Sequence, residues 1–205
     1  MKKLILSSEE KILEAAKNVF MKYGLNGARM QDIADSASIN KALLHYYFRS
    51  KEKLFDRIFE NALHKYFESI NVFTDSSSPV KDQIFKYIEN SIDFYAEYPQ
   101  ITIFIINEMS ISPDLFQKKI QAIKKGKNIK MIEALEKAIV KGEIKKIDTT
   151  MFFMNLQSLC SHPFIAKPIF KHSLKANNKD YDKDFSPEKL KIAVKQFVDF
   201  SLNKK

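Results

Sequence analysis

Two short helical patterns separated by only three residues constrain this chain more than any other feature. Met30–Ala37 sets Ile33, Ala34 and Ala37 on one side, and Lys41–Phe48 sets Leu44 and Phe48, four apart, on one side. Between them, Ser38, Ile39 and Asn40 leave room for a tight turn, with Asn40 as a good N-cap for the second helix. The first helix must then pack closely on the second, which explains the small Ala34 and Ala37 beside Ile33 and Ile39. This is helix-turn-helix geometry, in which the outer face of the second helix enters a major groove. That face would carry Lys41, Ala42, Leu43 and Tyr46, with His45 and Tyr47 flanking. Because Leu44 and Phe48 already supply the inward face, at least one of the two tyrosines is expected in solvent.

The flanking segments are helical as well. Ser7 and Glu10 form a capping box before Ile12, Ala16, Val19, Phe20 and Tyr23, and Gly24 supplies a stop, so a first helix is expected over about Ser8–Tyr23. A fourth begins after Ser50 and carries Leu54, Phe55, Ile58, Phe59, Ala62 and Tyr66. Residues 74–79 read as the clearest internal loop. Val80, Ile84, Tyr87, Ile88, Ile92 and Tyr95 then keep one register, with Phe85, Phe94 and Tyr98 widening the apolar arc, and Pro99 restarts the chain. Ile101–Ile106 is β-branched enough to read as a strand, but it has no partner strand, so a buried helix is expected. Asp114 caps a long helix to about Lys141, with Gly126 as its weak point. Thr150–Cys160 is apolar nearly all round, and Pro163 and Pro168 end it. Lys171–Phe185 is polar and is expected to be the least ordered stretch. Ser186-Pro187-Glu188 opens a last helix, with Leu190, Val194, Phe197 and Ser201 on one face. The fold class is all-α: an N-terminal three-helix helix-turn-helix domain over 1–54, then an α-helical ligand-binding and dimerisation domain over 55–205.

Composition narrows the partners. The net charge of +9 admits nucleic acid or an anionic membrane, but residues 1–54 carry only +4 of it, so total charge is weak support for DNA. The N-terminal apolar run Leu4-Ile5-Leu6 is too short for a signal peptide, and no run approaches the roughly 20 residues of a membrane span. A cytoplasmic protein with no membrane partner is expected. The single Cys160 excludes an internal disulfide, and its spacing to His162 and His172 fits no familiar zinc arrangement, so neither metal nor cofactor is expected. There is no nucleophile elbow, phosphate loop or paired-acid motif, so no enzyme is expected.

The stretch from Ile12 to Leu54 resembles the tetracycline-repressor (TetR) family. The resemblance rests on Phe20 to Gly24, on Ile33-Ala34, and on Leu44 to Leu54 with its Tyr-Phe and Lys-Glu-x-Leu spacing. It implies a DNA-binding transcriptional regulator, most often a repressor, acting as a homodimer on double-stranded operator DNA and answering to a small-molecule effector. Carried over by position, Tyr47 and Lys51 would hold phosphates and Lys41 would touch DNA at the groove. The chain departs from the family pattern at Ala28 and Arg29, at Ser38 in place of the turn glycine, at Ala42 and Leu43, and at His45. Arg29 offers a substitute phosphate contact for the lost hydroxyl.

Two further sites are expected behind the reader. Phe85, Phe94, Tyr95, Phe104, Met109 and Phe116 exceed what one stripe per helix would supply, which points to a pocket for an apolar or aromatic effector, with core filling as the alternative. Asn107 and Glu108 are either surface residues at a helix end or polar anchors in that pocket. A dimer interface is expected from the last two long helices, through Phe153, Leu156, Leu159, Leu190, Val194 and Phe197. The rival reading is a helical interaction module, or an enzyme, that has lost DNA binding.

Overall fold

The computed structural model describes residues 7–71, 73, 78–111, 113–124 and 130–203. Among them the chain forms helices and no strand, and it divides into two compact units. The described residues within Met1–Lys65 and Ile103–Lys125 form the first unit, and those within Tyr66–Thr102 and Gly126–Lys205 the second.

In the first unit, α1 (Ser8–Gly27) opens on the expected capping box: Ser7 N donates to Glu10 Oε2 at 2.8 Å and Glu10 N to Ser7 Oγ at 3.2 Å. The helix buries Ile12, Ala15, Ala16, Val19 and Phe20 along one stripe. It breaks at Gly24, whose φ of 65° suits glycine, and a last turn runs on to Gly27, past the expected end at Tyr23. Next come α2 (Met30–Ser36), α3 (Lys41–Tyr47) and α4 (Lys51–Ile70). The core beneath them is built on phenylalanine. Phe20 meets Phe55 edge-on at 5.0 Å, Phe55 stacks on Phe59 at 6.0 Å, and Phe104 of α6 (Pro99–Ile111) lies 5.4 and 5.7 Å from those two rings. Such pairs contribute about 0.5–1.5 kcal/mol each beyond their burial. The β-branched run at 101–106 is thus helical, with Ile101, Thr102, Phe104 and Ile105 buried and Ile103 and Ile106 exposed.

Asp114 lies in the first turn of α7 (Pro113–Lys124) rather than at its cap. The single helix expected to Lys141 is two: α7 and, in the second unit, α8 (Met131–Val140). Gly126 and the loop positions 74–77 lie outside the described residues.

The second unit is organised around α5 (Val80–Glu97), which packs against α8, α9 (Thr149–Ile165) and α12 (Pro187–Leu202). Ion pairs link α5 to α12 through Lys81–Asp199, Glu89–Lys195 at 2.6 Å and Asp93–Lys191 at 2.5 Å. All are partly exposed, so each contributes about 0–1 kcal/mol and serves mainly to set register. Two expectations fail here. Pro163 sits inside α9 instead of ending it, and Pro168 lies in the first turn of α10 (Lys167–Lys175), where its missing N–H costs nothing. The stretch 171–185, expected to be least ordered, holds the rest of α10 and the single turn α11 (Tyr181–Asp184). Tyr181 holds it in place: the residue is buried, stacks on the neighbouring Phe185 at 4.7 Å and donates to the Pro163 carbonyl of α9 at 2.9 Å.

Three helices end in the same Schellman-type cap, with a left-handed residue closing paired backbone bonds. After α2 the residue is Ser38 (φ 55°), with Ser38 N to Asp35 O at 3.1 Å and Ile39 N to Ala34 O at 3.0 Å. After α8 it is Gly142 (φ 72°), and after α10 it is Asn178 (φ 57°). Glycine and asparagine tolerate this conformation, whereas serine is strained there by roughly 1–2 kcal/mol, partly regained by its stiffer unfolded chain. Ser38→Gly is therefore expected to raise unfolding stability by about 0.5–1 kcal/mol in a denaturant titration.

Candidate functional site

α3 contributes one fully buried side chain, Leu44, to the first unit. Asn40 caps it by accepting from Leu43 N at 2.8 Å through Oδ1, so the amide nitrogen of Asn40 is what remains for another partner. Lys41, Ala42 and His45 are exposed, and Leu43 is half-buried. Tyr46 is 80% exposed and Tyr47 40%, their rings edge-to-face at 5.5 Å. A tyrosine that exposed gains little from folding and leaves most of its side chain available for contact. The helix presents two long amphipathic rings and a lysine on a surface pinned from beneath at one point.

The start of α4 adds a second element. Lys51 is half-buried, and its Nζ donates to the Ala28 carbonyl at 3.2 Å, tying α4 to the C-cap of α1. Arg29 occupies the N-cap of α2 without a side-chain cap bond and is exposed, so the amides at the start of α2 lack the usual hydroxyl partner. Positive side chains at 29, 41 and 51 thus belong to the starts of α2, α3 and α4, helix ends at which phosphate is favoured.

The residues expected to line an effector pocket are distributed over both units. Phe104 packs in the first with Phe55 and Phe59, and Asn107 and Met109 are exposed. The side chains of Glu108 and Phe116 lie outside the described residues. In the second unit Phe94 and Tyr95 are buried with Tyr66, while Phe85 is half-buried under the amines of Lys81 and Lys195, 5.7 and 5.3 Å from its centroid. A cleft of about 720 Å³ in that unit uses none of these eight; Phe73, Val80, Lys81, Lys130, Lys137, Lys141 and Ile144 are among its lining.

The sequence reading missed a polar cluster at the crossing of α5 and α9. Tyr87 donates to Gln157 Oε1, and Gln157 Nε2 donates to Tyr66 Oη at 2.9 Å and to Tyr95 Oη at 2.7 Å. Burial pushes all three phenols above their ordinary range and the nearby Cys160 thiol up to about 12, so every group there is neutral at physiological pH. The available signal was three tyrosines, at 66, 87 and 95, on the inward stripes of their helices.

The expected interface residues also separate by exposure. Leu156 and Val194 are sealed in the protomer's own core, and Phe153 and Leu190 are half-buried. Leu159 and Phe197 do reach the surface, joined on the same helices by Met151 and Met154 of α9 and Ile192 and Phe200 of α12. Of the six expected positions, Leu159 and Phe197 are thus among the exposed apolar side chains of α9 and α12, and the others are not.

Comparison with known proteins points the same way. Residues 12–58, which run from α1 into α4, match the family model described as bacterial regulatory proteins, tetR family. The chain is 26% identical over 141 residues to the HTH-type transcriptional regulator RutR of Escherichia coli K12, a match covering 69% of this chain and 64% of that one. It is 27% identical over 159 residues to the HTH-type transcriptional repressor NicS of Pseudomonas putida, covering 75% of this chain and 74% of the relative. Its fold resembles that of the transcriptional regulator FadR from Bacillus subtilis in complex with stearoyl-CoA, with a TM-score of 0.63 at 18% identity, covering 92% of this chain and 96% of that chain. Residues 12–58 therefore carry the N-terminal signature of the tetR family of bacterial regulatory proteins, and the chain as a whole is similar to regulators of that kind.

Proposed function

We propose that this chain acts in the bacterial cytoplasm as a homodimeric repressor that leaves its double-stranded operator when a small apolar or aromatic effector binds. The observation that carries the DNA-binding part is α3: a capped helix with one core anchor and an outward face of Lys41, His45, Tyr46 and Tyr47. In this reading Tyr46 and Lys41 meet base edges, while Tyr47, Arg29 and the free donors of Lys51 hold phosphates, which set register and affinity. The repressor assignment draws on NicS, which is described as a repressor, and the effector's apolar character on the surplus of buried aromatic side chains, with the acyl chain of the stearoyl-CoA bound to FadR as a parallel. An enzyme is the poorer reading, because the relatives are described as transcriptional regulators.

The dimer follows from the outward stripes of α9 and α12. Met151, Met154, Leu159, Ile192, Phe197 and Phe200 are exposed apolar side chains on these two helices, and a partner covering them would remove them from water. A two-fold axis through this face would bury them against their symmetry mates in a four-helix packing. Release then requires the effector to bind the arrangement that cannot hold DNA better than the one that can.

Electrophoretic mobility shifts test the DNA face. Lys51→Ala is expected to weaken binding to all DNA sequences alike and to flatten the log–log salt slope by about one unit. Tyr46→Ala is expected instead to change which bases are preferred. Unchanged affinity and preference in both variants would remove α3 and the α4 start from the interface.

Sedimentation tests the dimer. Phe200 is 83% exposed, so Phe200→Asp should leave the folded protomer as stable as before yet yield monomers at micromolar concentration. Retention of the dimer in that variant would place the interface elsewhere.

A further inference from the structure

The second unit places five polar side chains where apolar ones would pack with less cost: Tyr66, Tyr87, Ser91, Tyr95 and Gln157. Tyr87, Ser91 and Tyr95 follow one another at four-residue steps on α5, so they lie on one stripe of that helix, and all three are fully buried. Gln157 reaches them from α9, and its carboxamide is fully engaged by phenols: the oxygen accepts from Tyr87, and the nitrogen donates to Tyr66 and Tyr95. Phe94 and Phe164 pack against the same rings, with centroids 5.8 and 6.3 Å from that of Tyr95. A buried polar network is a costly way to fill a core, and replacing it wholly by apolar groups is often neutral or stabilising. Its presence here calls for something that stability does not supply.

Ser91 gives the second observation. Its hydroxyl has no hydrogen-bond partner at proper geometry although the residue is fully buried, and it lies near enough to Tyr87 to favour that phenol's ionised form. An orphaned buried hydroxyl costs about 1–3 kcal/mol unless something else arrives to meet it. Gln157, by contrast, is only half-buried, so its side chain has a route out of the cluster. What it would leave behind is a recess shaped by a carboxamide: one donor toward the oxygen, two acceptors toward the nitrogen and aromatic walls, with the unpartnered Ser91 hydroxyl one turn along α5 from Tyr87 and from Tyr95.

We infer that this tyrosine cluster is the polar anchor of the effector site, and that it takes a small neutral molecule bearing a primary carboxamide group on an apolar or aromatic body, which replaces the Gln157 side chain between Tyr66, Tyr87 and Tyr95. The inference deepens the effector-regulated reading above and rests on it. The hydrogen bonds at the cluster come from neutral side chains, so a carboxylate or an ammonium would enter without a counter-charge and forfeit its hydration. A neutral amide loses far less water and recovers every hydrogen bond that Gln157 gives up. Selectivity for the amide over both charged analogues follows.

The test uses the full chain with benzamide, benzoate and benzylamine as probes, followed by calorimetry and thermal melting. Benzamide is expected to bind and raise the melting temperature, while benzoate and benzylamine do neither. The double variant Tyr66→Phe/Tyr95→Phe, which keeps both rings, should weaken benzamide by about tenfold or more. A second arm removes the internal competitor: Gln157→Ala should melt lower than the unmodified protein and be restored by acetamide, the deleted fragment, but not by acetate. Benzoate binding as well as benzamide, benzamide affinity unchanged in the double variant, or no amide effect in either the unmodified protein or Gln157→Ala would each overturn the anchor. DNA retention on a selected site separates the two proposals. Benzamide held by the tyrosines without any loss of DNA affinity would support the anchor and sink effector release. DNA release by apolar compounds that act equally on the double variant would keep effector release and overturn the anchor.

Discussion

Between α2 and α3 the chain must turn within three residues and leave no backbone group stranded, and the reading face of the protein depends on how it does so. Helices of seven residues are far below the length that is stable alone, so neither holds its direction by itself. The left-handed Ser38 closes the end of α2 through two backbone bonds, and Asn40 opens α3 by capping Leu43. Leu44 then fixes α3 from below. Every exposed residue of α3 takes its direction from these few groups. The strain at Ser38 is tolerable because the turn is held from both sides, by the backbone closure before it and the side-chain cap after it.

Features set by near neighbours are legible in the amino-acid sequence alone. The capping box at Ser7 and Glu10, the N-caps at Asn40 and Ser186, the stop at Gly24 and the fourth helix from Lys51 all depend on residues within one turn. The helix-turn-helix is legible for the same reason. Where the sequence misleads, the deciding partners are far away along the chain. The segment around Tyr181 has a polar composition and reads as loop, yet the Pro163 carbonyl of α9 accepts from Tyr181 and holds it. Pro163 reads as a terminator, but α9 continues for two residues beyond it. Periodicity places Leu156 and Val194 on apolar stripes without showing which stripe faces inward, since α9 and α12 carry apolar residues on both.

The same limit hides the tyrosine cluster. Tyr66, Tyr87 and Tyr95 each fit an apolar register, and a tyrosine in such a register counts as one more large ring. Only when α5 and α9 are packed do their hydroxyls converge on Gln157. The phenylalanines of the first unit illustrate the opposite case: Phe20, Phe55, Phe59 and Phe104 carry no polar tip and simply fill space, which is why Phe104 is better described as core than as lining. Surplus aromatic content thus has two destinations that composition does not distinguish.

The central claim is that two copies of α3, related by a two-fold axis, read operator DNA. Selection of bound fragments from random double-stranded DNA by the purified full chain tests it most directly. The account predicts an inverted repeat, two related half-sites whose centres are separated by about 10 base pairs or a multiple of that. A selected site with a single asymmetric half and no repeat, or no enrichment of any sequence over the starting pool, would contradict it.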